Sequence, residues 1–425
     1  MLRHRNRVVN NSNTDLIQWR IGVRSTINKY AIKCLSTFFP TKKPTLFQGQ
    51  GATTKLTELM VVNGHKRPLI IVDGFLNANG AIKSTVESFT QAGCEVSVFD
   101  EVAANPTFKI VEDCLSLAIA NKCDSVLVVG GGSAIDTAKV VSAALTNGAV
   151  SSKLIGMLKV KNPPLPLYAV PSTSGTGSEV TAIAVISDTS THKKQFFIDP
   201  KYVPVSAALD PELIASLPPE MTSTTGMDAL THAIEAYTST VKFSDAERDA
   251  VSAIRLLVKY LPIAYQDGSD LHAREMVALG SFLAGYAFSK TGLGYVHAIS
   301  HQISAHYNTP HGLANAVILP KVLRYNQSVC QSRFAELERA LATQPKSLDE
   351  KVLAADFIKR IDQLSEEVQI PATLEGLKDS DFDAIARDAL SEAKESYAVP
   401  KVMKASNVKT ILQAIVNGER NVVFA

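Results

Sequence analysis

Ser125-Val-Leu-Val-Val-Gly-Gly-Gly-Ser-Ala-Ile-Asp-Thr-Ala-Lys139 is the stretch that decides the fold. It begins with a short run of mostly β-branched apolar residues, which is typical of a strand buried in a parallel sheet. Three glycines and a predicted helix follow. Because glycines let a ligand approach the backbone and the first N–H groups of a helix are unpaired, this order predicts a phosphate-binding turn. The spacing matches neither the G-x-G-x-x-G fingerprint nor a P-loop, so a merely tight turn is the alternative.

Three further short stretches are predicted to be strands. They are Pro68-Leu-Ile-Ile-Val72, Glu95-Val-Ser-Val-Phe99 and Leu167-Tyr-Ala-Val170, and helices are predicted between strands at 79–92 and 107–121. Strands that alternate with helices predict a doubly wound, Rossmann-like parallel sheet. Ligands of such sheets bind beyond the carboxyl ends of the strands, so we expect the functional residues there.

Polar residues follow two of these predicted strands. Pro171-Ser-Thr-Ser-Gly-Thr-Gly-Ser-Glu-Val-Thr181 has six hydroxyls and two glycines, a composition suited to a pyrophosphate or ribose, or to an ordinary loop. Asp73 ends the first strand, where a carboxylate would accept from ribose hydroxyls and repel a 2′-phosphate. That position favours NAD over NADP, and an aspartate that only shapes the turn before Gly74 is the alternative.

The bulk composition is that of an ordinary globular protein. The chain has 425 residues, of which 46% are hydrophobic and 20% charged, and its net charge is +2. It is long enough for two or three domains, shows no basic footprint for nucleic acid, and has no apolar run of about 18 residues that would span a membrane. Five irregularly spaced cysteines without a C-x-x-C pair favour a reducing, cytoplasmic location.

The character of the chain changes near Leu217-Pro218-Pro219-Glu220, after which strand signals vanish. We therefore expect an α/β dinucleotide-binding domain at 44–217 and an all-helical metal-binding domain at 218–425. Residues 1–43 form an N-terminal extension of unknown role, whose early arginines without acids faintly suggest a transit peptide. Helices are predicted at 223–239, 245–260, 271–290, 294–307, 312–325, 330–344, 349–367, 382–395 and 406–417.

Asp228 and His232 lie four residues apart on the first of these helices and so share one face. A carboxylate and an imidazole at this spacing suit Fe(II) or Zn(II), and a surface Asp–His contact is the alternative. The segment 292–320 contains four of the nine histidines: His297, His301, His306 and His311. His297 and His301 are also four residues apart, so spacing alone leaves open which of them would bind a metal.

Four motifs, which follow one another along the chain, together strongly resemble the motifs of one known protein family. They are Gly130-Gly-Gly-Ser-x-x-Asp-x-Ala-Lys139, the hydroxyl-rich loop at 171–181, Gly226-Met-Asp-Ala-Leu-Thr-His-Ala-Ile-Glu-Ala-Tyr237, and His297-x13-His311-Gly-x-Ala-Asn315. From about Pro44 to its C-terminus, the sequence resembles the iron-containing (group III) alcohol dehydrogenase family. The resemblance implies a dehydroquinate-synthase-like architecture, with a parallel-sheet α/β domain, an all-α domain, an active site between them and a homo-oligomer of two or more chains.

The resemblance also implies roles for particular residues. The metal ligands would be Asp228, His232, His297 and His311. His301 would be a catalytic residue beside the metal on the proton route, whereas His306 matches no functional position. Ser172 stands where the family commonly has threonine, a change that keeps the hydroxyl. The dinucleotide would contact Asp73, Asn105, Gly130, Gly131, Gly132, Ser133, Ser172, Thr173, Thr181 and Lys194.

The implied activity is reversible hydride transfer between a primary alcohol or diol and a nicotinamide. NAD is favoured over NADP, and Fe(II) is the expected Lewis acid with Zn(II) as the alternative metal. A small alcohol or aldehyde is the expected partner, with neither nucleic acid nor membrane. Two related enzymes stay open, a zinc-dependent polyol dehydrogenase and a non-redox, dehydroquinate-synthase-like lyase. A scaffold protein on a retired enzyme fold is less favoured because all four ligand positions are intact.

Overall fold

A parallel six-stranded sheet forms the centre of the N-terminal half. The computed structural model describes residues 42–189, 193–342 and 347–424, so the predicted extension lies almost entirely outside the described residues. The strands are β1 Thr45–Gln48, β2 Pro68–Asp73, β3 Ser97–Val102, β4 Ser125–Gly130, β5 Gly156–Met157, β6 Leu167–Pro171, β7 Ile183–Asp188, β8 Lys193–Ile198 and β9 Ser206–Leu209. The large sheet has the order β1-β9-β6-β4-β2-β3, and all its described pairs are parallel.

Helices cover both faces of this sheet. The helices of the N-terminal half are α1 Ala52–Val62, α2 Gly74–Ala78, α3 Lys83–Gln91, α4 Phe108–Ala120, α5 Gly132–Thr146 and α6 Pro211–Ile214. Apolar side chains of α4 and α5 pack on one face of the sheet, and those of α1 and α3 pack on the other. Strands β2, β4 and β6 are therefore buried on both sides, which explains their continuous apolar sequences. The predicted doubly wound parallel sheet is confirmed.

The register of the central strands brings their ends together. Val72 pairs with Val129, and Gly130 pairs with Pro171. Asp73, the glycine turn and the hydroxyl-rich loop therefore leave the sheet side by side at one edge.

Two predicted elements of this half have different bounds. The helix predicted at 79–92 begins only at Lys83, because Gly80 adopts a left-handed conformation with φ of 76°. The strand predicted at 95–99 spans Ser97–Val102. A small sheet of order β5-β8-β7, in which β7 and β8 are antiparallel, was not predicted.

Helices make up the described part of the C-terminal half. They are α7 Pro219–Thr238, α8 Ser244–Gln266, α9 Leu271–Thr291, α10 Tyr295–Tyr307, α11 His311–Leu341, α12 Glu350–Glu367, α13 Phe382–Ser396 and α14 Ala405–Val416. The helices predicted at 312–325 and 330–344 are one element, α11, with a kink at Cys330. The expected all-α half is thus confirmed. Within the described residues, no helix combines the length and apolar character needed to cross a membrane.

The hydroxyl-rich loop after β6 packs directly on the helical half. A Cβ at Gly177 would lie 2.7 Å from Cα of Gly285 on α9, and one at Gly175 would lie 2.9 Å from Cβ of Thr225 on α7. Both glycines are thus needed for this close approach. The contact brings the strand ends next to α7, the helix that contains the Asp228–His232 pair.

Candidate active site

One oxygen of a buried aspartate is surrounded by three imidazoles from three helices. Oδ1 of Asp228 on α7 lies 4.0 Å from Nε2 of His232 on the same helix. It lies 3.7 Å from Nε2 of His297 on α10 and 3.8 Å from Nε2 of His311, the first residue of α11. Asp228 and His297 are almost fully buried, whereas the His311 side chain is 33% exposed. The four ligands implied by the resemblance therefore converge.

The convergent atoms suit a metal ion. One ligand atom each from Asp228, His297 and His311 lies within 4.8 Å of the other two, a spacing that a single ion could bridge. His232 is not one of these three, but its ring stacks on His297 with centroids 4.5 Å apart. One carboxylate and several imidazoles form a donor set suited to Fe(II) or Zn(II). A buried carboxylate among imidazoles also calls for a compensating cation.

The pKa shifts reflect this crowding. Burial raises the pKa of Asp228, but the surrounding imidazoles outweigh burial and hold it well below its usual range. Burial lowers the pKa of His232 to about 4, which leaves this imidazole neutral. Burial also lowers the pKa of His297, but Glu235 and Asp228 outweigh it and raise the pKa to about 9. Ionised Asp228 is thus the negative centre of the cluster.

Asn315, the last residue of the His297–Asn315 motif, lies inside the cluster, although the sequence alone indicated no role for it. Its Nδ2 donates to Oδ1 of Asp228 at 2.7 Å and lies 3.1 Å from Nε2 of both His297 and His311. The residue is fully buried, and among the described residues its Oδ1 has no hydrogen-bond partner. Its position four residues after His311, on the same face of α11, is the signal that could have indicated it.

The structure separates the two histidines that spacing left equivalent. His297 faces Asp228, whereas Nδ1 of His301 lies 2.6 Å from Oε1 of Glu392 on α13. The His301 ring stacks on His311 with centroids 5.1 Å apart, and its side chain is 24% exposed. His301 therefore lies beside the cluster and closer to solvent. His306 is exposed on the same helix, and its ring lies next to that of Tyr307.

The glycine turn and the hydroxyl-rich loop pack closely against each other. Gly130 ends β4, Gly131 is the N-cap of α5, and Gly132 is the first residue of that helix. A Cβ at Gly131 would touch Thr173 at 3.5 Å, and one at Gly132 would lie 2.9 Å from Thr176. The loop can approach the backbone of this turn so closely only because the turn has no side chains. With the start of α5 behind it, the turn suits a phosphate.

Asp73 lies beside this turn, where one of its carboxylate oxygens caps a helix and the other faces the turn. Its Oδ1 accepts from the backbone N–H of Leu76 at 2.9 Å and caps α2, as the turn interpretation expected. Its Oδ2 lies 3.8 Å from where a Cβ of Gly130 would be. One carboxylate oxygen therefore faces the glycine turn, where a ribose would lie next to a bound pyrophosphate.

The other expected cofactor residues differ in how accessible they are. Ser172 donates its backbone N–H to the carbonyl of Gly130, and the Ser133 carbonyl accepts from Thr137. Asn105 is exposed and has a left-handed φ of 57°. Lys194 is exposed on β8. Thr181 is buried.

The Thr181 hydroxyl accepts from Lys139, a fully buried lysine at the end of the Gly130 motif. The sequence alone indicated no role for this lysine. Lys139 also donates to Ser178 Oγ at 2.9 Å and to the Ile183 carbonyl at 2.7 Å. Ser178 in turn donates to Asp136 at 2.6 Å. Burial lowers the pKa of Lys139 to about 8, against the opposing effect of Asp136. This buried network ties the hydroxyl-rich loop to α5.

Comparisons with known proteins agree with this arrangement. Residues 43–211 match the family model described as iron-containing alcohol dehydrogenase, and residues 222–416 match the model of the C-terminal part of the Fe-containing alcohol dehydrogenase family. The chain belongs to the iron-containing alcohol dehydrogenase family. The two matched parts meet near Pro218 and Pro219, where the strands end and α7 begins.

Relatives within the iron-containing alcohol dehydrogenase family cover most of the chain. It is 38% identical to a 1,3-propanediol dehydrogenase of Klebsiella pneumoniae over 86% of this chain and 96% of that protein. It is 33% identical to an NAD-dependent methanol dehydrogenase of Bacillus methanolicus, with the same two coverages. A crystal structure of a 1,3-propanediol oxidoreductase superposes with a TM-score of 0.85 at 36% identity, covering 88% of this chain and 99% of that one. These relatives support an alcohol dehydrogenase or aldehyde reductase activity.

Proposed function

We propose that the protein is an NAD-dependent, iron-dependent alcohol dehydrogenase that interconverts a primary alcohol or diol and its aldehyde. The observation that carries the proposal is the convergence of Asp228, His297 and His311, with His232 stacked beside them. This cluster adjoins the loop that faces the glycine turn. A metal centre next to the expected dinucleotide-binding segments suits hydride transfer. Both the methanol and the propanediol dehydrogenase relatives act on small primary alcohols by name.

The residues of the cluster would have separate tasks. Asp228, His232, His297 and His311 would hold the metal, which supplies Lewis-acid chemistry that lowers the pKa of the alcohol hydroxyl. The nicotinamide supplies the redox chemistry. Phe288 stacks on the outer face of His232 with centroids 4.3 Å apart, so an apolar ring shields this part of the site from water.

His301 would move the proton of the alcohol towards solvent. Because a carboxylate only accepts, Nδ1 of His301 is the donor in its contact with Glu392, and its Nε2 is left for proton exchange. Tyr397 and Gln302 also donate to Glu392 and hold this carboxylate in place. The partial exposure of His301 gives it the contact with water that His297 lacks.

The cofactor would bind at the glycine turn and the adjoining hydroxyl-rich loop, with Asp73 next to the adenosine ribose. Asp73→Asn tests this assignment, since asparagine keeps an oxygen that caps α2 but removes the charge. A like-charge contact near a protein surface is worth on the order of 1–4 kcal/mol, so kcat/KM with NADP is expected to rise about 10-fold or more. Steady-state kinetics with both cofactors measure the change.

Asp124→Asn is the matched control for this experiment. Asp124 directly precedes β4 and therefore lies at the opposite edge of the sheet, where it accepts from the backbone N–H groups of Lys66 and Arg67. The same change of charge there should leave the ratio of NAD to NADP activity unaltered. If Asp73→Asn also left the ratio of NAD to NADP activity unaltered, the only role of Asp73 would be to cap α2.

A substrate screen tests the proposed function itself. Protein purified without air and loaded with Fe(II) or Zn(II) is offered primary alcohols, diols and aldehydes with NAD(H) or NADP(H). NADH formation with at least one primary alcohol or diol is expected, and higher activity with Zn(II) would identify the zinc-dependent alternative. Silence across the panel with both metals would overturn the proposal.

A further inference from the structure

Glu235 is a buried carboxylate directly behind His297. Its Oε2 accepts from Nδ1 of His297 at 2.6 Å and from the backbone N–H of Gly294 at 2.8 Å. Its Oε1 accepts from the backbone N–H of Val296 at 2.8 Å. The residue is only 7% exposed. Three donors from the start of α10 therefore fix both carboxylate oxygens, one of those donors being the ring of the histidine.

The surrounding chain is shaped for this contact. Glu235 follows Asp228 by seven residues, so both carboxylates lie on the same face of α7. A Cβ at Gly294 would lie 2.7 Å from Oε1 of Glu235, so only glycine allows the carboxylate to come this close. The position just before the first turn of α10 also favours a negative charge, because N–H groups there have no partners within the helix.

We propose that Glu235 is a positioning residue that fixes the orientation of the His297 ring for metal binding. A carboxylate only accepts, so its partner Nδ1 must be the donor, and Nε2 is the nitrogen left to face Asp228 at 3.7 Å. The inference rests on the proposed function, in which His297 is a ligand. Loss of such an outer partner typically weakens metal binding by about 10- to 100-fold.

The test is the Zn(II) affinity of the full-length chain, measured by competition with a chelating dye. Glu235→Gln keeps the size of the side chain but replaces one carboxylate oxygen by an amide N–H₂ group. Because both oxygens of Glu235 accept hydrogen bonds, this N–H₂ group faces an N–H donor instead of binding it. Zn(II) affinity is expected to fall about 10- to 100-fold, and the visible absorption of the Co(II)-loaded variant should change because the His297 ligand is misdirected. Gly294→Ala, which displaces the Glu235 carboxylate without altering its charge, should act in the same direction and serves if Glu235→Gln does not fold.

Two matched variants are the controls. Glu392→Gln removes the equivalent carboxylate from His301, and Glu338→Gln removes a buried carboxylate that pairs with Arg360 away from the cluster. Both should keep the wild-type Zn(II) affinity and the wild-type Co(II) spectrum. A folded Glu235→Gln with wild-type affinity and spectrum, or an equal loss in Glu392→Gln, would overturn the inference. Failure of the wild-type chain to bind any of these metals would instead overturn the proposed function.

Discussion

Replacement of His297 by alanine is expected to empty the metal site and to reduce alcohol oxidation by about 10³-fold or more, because the metal contributes several kcal/mol to the lowering of the barrier. The His297 ring is 1% exposed and lies between Asp228 and Glu235. Its removal therefore deletes one ligand and leaves two buried carboxylates without their shared partner. Metal analysis after dialysis, together with NADH formation under substrate saturation, measures both effects.

His301→Ala is the informative comparison for this prediction. His301 lies four residues along the same helix and pairs with a carboxylate in the same way, but its ring lies outside the group of Asp228, His297 and His311. We expect lower turnover with near-normal metal content. If His301→Ala lost the metal and His297→Ala kept it, the assignment of ligand and proton carrier would be wrong.

Replacement of Lys139 by methionine is expected to lower the free energy of unfolding by about 3 kcal/mol or more, as is typical when one partner of a buried ionic network is removed. The lysine Nζ donates to Ser178, Thr181 and Ile183, and lies 3.9 Å from Asp136. Without it, the hydroxyl-rich loop loses two hydrogen bonds, the start of β7 loses one, and Asp136 loses its cation. Urea denaturation measures the stability, and isothermal titration should show weaker NAD binding because the loop is no longer tied to α5.

Lys109→Met provides the control for Lys139→Met. Lys109 also pairs with an aspartate on its own helix, Asp113 at 2.7 Å, but it is exposed to solvent. Exposed pairs contribute little, so stability and NAD binding should stay close to wild type. Equal stability and equal NAD binding of the two variants would show that the buried network does not hold the hydroxyl-rich loop in place.

The elements that could be predicted from the sequence are those in which every side chain has a similar degree of burial. Strands β2, β4 and β6 are buried on both faces, so their apolar runs are continuous and easily recognised. Strand β1 has only four residues and lies at the edge of the large sheet. Strand β8 includes two lysines and a glutamine. Neither strand therefore has a continuous apolar sequence. Most helices of the C-terminal half begin and end within a few residues of the predicted bounds, but α8 extends to Gln266, and the helices predicted at 312–325 and 330–344 are one.

The candidate site was predictable only in part because its partners are distant in the chain. Spacing grouped Asp228 with His232, yet it treated His297 and His301 alike. What distinguishes those two is the distance from His297 to Asp228, across helices. Glu235 lies 62 positions before His297, and no local pattern marks it as the partner of that ring. Contacts of this kind follow from how the helices pack, which a single sequence does not display.

The most direct test of the central claim is a titration of metal-free protein with Fe(II) in the absence of air, with turnover measured against bound metal. An alcohol that is active in the substrate screen and NAD are present at saturation. We predict negligible NADH formation without metal and a rise in proportion to bound Fe(II) that ends when the Asp228 cluster is filled. Full turnover by the metal-free protein, or complete Fe(II) occupancy without any NADH formation, would contradict the account.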